Sequence, residues 1–83
     1  MTAEIATNII VTAAKNNLGV YIAPESFMKN GERQHILIFN GRVQGNSIIG
    51  GQRVINANDA VRMLSEMVIY EDETKGLVAC QQN

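Results

Sequence analysis

Between residues 3 and 16, the apolar positions Ile5, Ala6, Ile9, Ile10, Ala13 and Ala14 return at intervals of three and four. That period draws one apolar stripe along an α-helix. Thr2 is placed to cap it, Glu4 suits the positive end of its dipole, and Asn16, Asn17 and Gly19 provide a stop. The β-branched run IIVT is its weak point, because the same residues suit a strand.

The pattern then changes. GVYIA, residues 19–23, reads as a short strand halted by Pro24, which has no N–H for a ladder. ESFMKNGE reads as a loop in which Asn30-Gly31 fits a tight turn. RQHILIF, residues 33–39, is the most apolar run and predicts a central strand covered on at least one face. SIIGGQRVI, residues 47–55, predicts a third strand with a bulge or sharp bend at Gly50-Gly51.

A second helix starts at Asn56 or Asn58, with Asp59 in its first turn. Ala57, Ala60, Val61, Leu64, Met67 and Val68 predict its apolar face, and Arg62 and Glu66 an i,i+4 pair on the other. EDETKG then predicts a turn and LVAC a short C-terminal edge strand. The expected fold is α+β: one two-layer α-β-β-β-α domain over residues 1–83, an antiparallel sheet packed against two helices.

Composition narrows the function classes. Eighty-three residues lie near the lower limit for a chain that folds without disulfides or metals. The expected stability is then thin, about 5 kcal/mol. With 46% hydrophobic and 18% charged residues the chain is globular in composition. No apolar run reaches membrane-spanning length, and MTAEIATN lacks the basic start of a secretory signal. Cys80 is the single cysteine, so the expected compartment is the reducing cytoplasm. The net charge of −1 disfavours a dedicated nucleic-acid binder. It is nevertheless uneven: Arg33, Arg42, Arg53 and Arg62 face only Asp59 across residues 33–62, whereas Glu66, Glu71, Asp72 and Glu73 outnumber Lys75 after them.

Chemistry-bearing motifs are scarce. The glycines at 41, 45, 50 and 51 lie between strand-like segments, which is the wrong setting for a dinucleotide fingerprint. Gly45 and Gly50 have P-loop spacing, yet Gly51 and Gln52 stand where Lys and Ser or Thr are needed to meet phosphates. Asn40-Gly41 and Gly45-Asn46 tolerate positive φ, so these glycines are expected to turn a sheet. His35 is the only histidine and has no signalled partner, which predicts a packed or half-exposed strand residue. Glu71, Asp72 and Glu73 lack the spacing of a calcium loop, and neither a metal site nor a cofactor is expected.

Two features remain as contact candidates. Phe27 and Met28 follow Pro24 where a polar loop tip is expected, and aromatic and methionine side chains favour interface centres. Arg42 and Arg53 are placed to meet carboxylates or phosphates. Together with the acidic set Glu66, Glu71, Asp72 and Glu73, they form the expected partner-binding residues. The α-β-β-β-α order, with His35 and Phe39 at H-x-x-x-F spacing, is similar to double-stranded-RNA-binding domains. That family grips phosphates with a lysine cluster opening its second helix. Here Asn56-Ala57-Asn58-Asp59 carries no lysine and one acid, so the resemblance implies the architecture without that grip.

The function expected from the sequence is that of a non-enzymatic binding protein. It would act on a larger host protein or complex as a stoichiometric inhibitor or adaptor. Chains of this class are often encoded by phages and mobile elements, anti-CRISPR proteins among them. The alternatives are a nucleic-acid-binding module, or a homodimer joined through residues 76–80 or the first helix.

Overall fold

The computed structural model describes the backbone of residues 1–80 and the side chains of residues 1–69. Helix α1 spans Ala3–Lys15, and the hydroxyl oxygen of Thr2 accepts a hydrogen bond from the Ile5 N–H at 3.4 Å. The helix ends where Asn17 turns into the left-handed region at φ 58°. Ala6 and Ala13 are fully buried, and their small side chains let the helix lie close to the sheet.

Strands β1 (Val20–Lys29) and β2 (Glu32–Phe39) form a long antiparallel hairpin. Its two-residue turn is Asn30-Gly31, with φ of 53° and 81°, and a type I′ turn needs positive φ at both central positions. The strand does not stop at Pro24, and ESFMK is strand instead of loop. The ladder breaks between Ile22 and Ser26 and resumes, so Pro24 lies in a bulge where no N–H is required of it.

The predicted third strand is in fact two. Ser47–Ile49 is β4 and pairs with β3 (Arg42–Gln44), while Gln52–Val54 is β5 and pairs with β2. Gly50 and Gly51, at φ 70° and 89°, form the corner between them. The main sheet therefore runs β1-β2-β5, all antiparallel, with β3-β4 as a separate ribbon. At Gly45-Asn46 the ribbon makes its own two-residue turn, with glycine at the first central position and φ 63°.

Helix α2 spans Ala57–Cys80. Asn56 caps it, its side-chain oxygen accepting from the N–H of Asn58 at 2.8 Å and of Asp59 at 3.3 Å. EDETKG is helical and LVAC is no edge strand. No proline interrupts this segment, and a lone Gly76 costs only about 1 kcal/mol in a helix. The predicted apolar face holds at Ala57, Ala60, Leu64, Met67 and Val68, Met63 joins it, and Val61 is 50% exposed instead.

Both helices cover one face of the sheet. Ala6, Ile9 and Ala13 of α1 meet Val20, Leu37, Phe39 and Val54 of the strands and Ala60 and Leu64 of α2 in a single cluster. Met1 joins it, 5% exposed, and bonds to His35 as a strand neighbour would. Its nitrogen donates to the His35 carbonyl at 3.1 Å, and its carbonyl accepts from the His35 N–H at 2.6 Å. The opposite face of β2 presents Ile38, only 3% exposed and outside that cluster. Glycines at 41 and 51 approach it so closely that a Cβ on Gly51 would lie 2.6 Å from Ile38 Cγ2 and 2.8 Å from the Phe39 carbonyl oxygen.

Three substitutions separate these effects. Leu37→Ala removes a fully buried side chain, and an expected loss of about 2–5 kcal/mol in urea unfolding checks it. Gly45→Ala meets nothing within 4 Å and incurs only the left-handed backbone cost, about 1–2 kcal/mol. Gly51→Ala adds a clash to the same cost, so its urea midpoint should fall clearly below that of Gly45→Ala.

Candidate functional site

The rear of the sheet holds a cleft of about 420 Å³ built from four separate parts of the chain. Ile38 of β2 contributes its floor. The β1 bulge brings Pro24 and Glu25 to one side, and β5 brings Arg53 to the other. Asn46, Ser47 and Ile48 of the ribbon form the overhang. The extra residues of the bulge are what carry Glu25 to Arg53, and the two form an ion pair between the outer strands of the sheet. About half of each side chain is exposed, so the pair is screened and contributes about 0–1 kcal/mol.

Above this cleft the ribbon is largely exposed. Of its strand residues only Ile48 is half-buried, and it packs toward Gly41. Val43 is 57% exposed and Ile49 42%. Arg42 stands directly opposite Ile49 in the ladder, and among the described residues no carboxylate pairs with it. Arg42, Val43, Gln44 and Ile49 together line a shallow depression of about 300 Å³. A two-stranded ribbon is marginal in water by itself. This one is held by its glycine corners and by Ile48.

The predicted contact residues do not converge. Phe27 is half-buried in β1 and lines a cleft with Met1, Ile5 and Ile55. Met28, 55% exposed, stands opposite Arg33 near the hairpin tip. Glu66 borders a groove of about 490 Å³ between α2 and the α1–β1 connection, floored by Leu18, Met63 and Met67. Among the described residues, Phe27, Arg42, Arg53 and Glu66 thus line separate clefts. Glu71, Asp72 and Glu73 lie in α2 by their backbone, and their side chains fall outside the described residues.

Arg62 pairs with Asp59 at 3.2 Å and not with Glu66. Helical side chains lean toward the N-terminus, which carries the guanidinium to the acid three residues earlier. His35 is half-buried and lines none of these clefts. Among the described residues no group of three or more His, Cys, Asp or Glu side chains is arranged to hold a metal ion. Among the described residues no helix is long and apolar enough to cross a membrane.

Sequence reasoning missed Val43, Ile49 and Glu25. The signal for the first two was present: Gly45-Asn46 is a two-residue hairpin turn, and its flanks, residues 42–44 and 47–49, carry β-branched residues. Glu25 had no signal, because its place depends on a bulge. What the rear surface offers a ligand is recognition chemistry: an apolar floor, a guanidinium–carboxylate pair, and the amide and hydroxyl of Asn46 and Ser47. Comparison with protein families, with characterised proteins and with solved structures finds no match for this chain.

A double-mutant cycle with Glu25→Gln and Arg53→Gln is expected to give a coupling of at most about 1 kcal/mol, smaller in high salt. A coupling well above that would mean the pair is better shielded than its exposure implies.

Proposed function

We propose that this chain is a small non-enzymatic binding protein that engages a larger protein through its exposed β3-β4 ribbon. The observation that carries the reading is exposure on both faces of the ribbon, Val43 on the face of Ile48 and Ile49 with Arg42 on the other. A ribbon packed only for stability would turn its apolar residues inward. Here one isoleucine anchors it while two aliphatic side chains and a guanidinium stay in water. Apolar side chains next to an arginine are the composition of interface centres, where desolvated aliphatic contact and a directed charge combine.

The mode of action under this reading is occupancy. The protein covers a site on its partner as a stoichiometric inhibitor, or bridges two partners as an adaptor. The packing of Ile48 against Gly41 supports it, because a ribbon held in place loses little freedom on binding. Arg53 is then a support residue engaged with Glu25, and Arg42 is the arginine that meets the partner.

The test is capture from a native lysate, treated with nuclease, using the wild-type chain and a Val43→Ser/Ile49→Ser variant beside an Arg42→Glu variant. All three positions are exposed, so unfolding midpoints should stay within about 0.5 kcal/mol of wild type. A protein retained by the wild type and lost from both variants is the expected result. Retention by the variants, or capture that vanishes with nuclease, rejects the reading.

A further inference from the structure

The chain contains two Asn-Gly pairs, and they form a matched comparison within one fold. Asn30 and Asn40 both sit at positive φ, 53° and 63°, and both are exposed. Their glycines differ. Gly31 is exposed at the hairpin tip, with nothing within 4 Å of where a Cβ would stand. Gly41 is buried, and the same position there lies 2.9 Å from Ile48 Cγ2 and 3.0 Å from Ile38 Cγ2. The chain at Asn40 is also tied down, its N–H donating to the Gly19 carbonyl at 3.2 Å.

We infer that Asn30-Gly31 is a site of spontaneous covalent modification, deamidation through a succinimide, and that Asn40-Gly41 is protected by its packing. In the first step the Gly31 backbone nitrogen attacks Cγ of the Asn30 side chain. An N–C bond forms, the bond to the side-chain nitrogen breaks, and ammonia leaves with the proton from the attacking N–H. Water then adds to either ring carbonyl and the ring C–N bond opens. The product is aspartate or isoaspartate, one negative charge more than before. Ring closure requires the peptide after the asparagine to rotate. At Gly31 that rotation sweeps open solvent, whereas at Gly41 it drives the backbone into Ile38 and Ile48.

The isoaspartyl product has a structural consequence. It routes the backbone through the former side chain and adds a methylene to a turn that has only two residues. The pairing of Lys29 with Glu32, next to the turn, cannot hold with the longer link. The outer hairpin, Ser26–Lys29 with Glu32–His35, is separated from the inner ladder by the Pro24 bulge and therefore loosens by itself. The modification acts as a slow clock on the segment that carries Phe27 and Met28.

The whole chain is incubated in mildly alkaline buffer, folded and in denaturant, and then digested and mapped for the mass gain of NH₂ replaced by OH. The unfolded chain should convert at both asparagines at similar rates. In the folded protein the Asn30 peptide should convert several-fold faster than the Asn40 peptide. Amide exchange across residues 26–29 should then rise in the aged wild type and stay unchanged in an aged Asn30→Gly variant, whose Gly-Gly turn keeps the required φ. Equal folded-state rates at the two sites, or Asn40 leading, overturns the assignment. So does a folded protein in which neither site converts while the unfolded one does. Unaltered exchange in the converted protein overturns the clock.

Discussion

One strand sets the terms for this fold. The run Leu37-Ile38-Phe39 is buried at every position, so β2 sends apolar side chains to both faces and both must be covered. A chain of 83 residues has few elements to spend on this. Two helices close the front, where fully buried alanines at 6, 13 and 60 let them approach. The rear is closed by a pair of glycine-lined corners and one isoleucine of the ribbon. The side-chain-free atoms of Gly41 and Gly51 are what make so thin a cover sufficient.

From that division of labour follows the asymmetry of the surface. The front is thick and ordinary, with Met63, Met67 and Leu18 under a groove at its edge. The rear is thin, so the groups around it are seen by solvent: Arg53 and Glu25 at the sides, Val43 and Ile49 above. The ribbon is both a lid for Ile38 and a surface in its own right. Each of its strands is three residues long, which leaves no room for the two tasks to be separated.

Much of the fold was legible in the sequence, because its signals are local. The Thr2 cap, the Asn16–Asn17 stop and the Asn30-Gly31 turn are each set by neighbours a few residues away, and each appears in the structure. The failures have one cause, tertiary context. Pro24 reads as a stop because a proline cannot join a ladder, yet a bulge excuses it. Ser47 to Ile55 reads as one strand, because nothing local says that its halves pair with different partners. Residues 71–80 read as a turn and a strand, because charged residues and a glycine suit either outcome. Of the predicted contact residues, Arg42 is placed where a partner can reach it without breaking an ion pair. Arg53 is not, since Glu25 reaches it only by way of the bulge.

The Pro24 bulge also decides how any neighbour can meet this molecule. β1 is the longest strand and lies at the outside of the sheet, where its free backbone groups would invite another chain to stack alongside. The kink and the missing N–H split that rim into two runs too short to template a continuous ladder. Strand-by-strand polymerisation is therefore discouraged by a single imino acid.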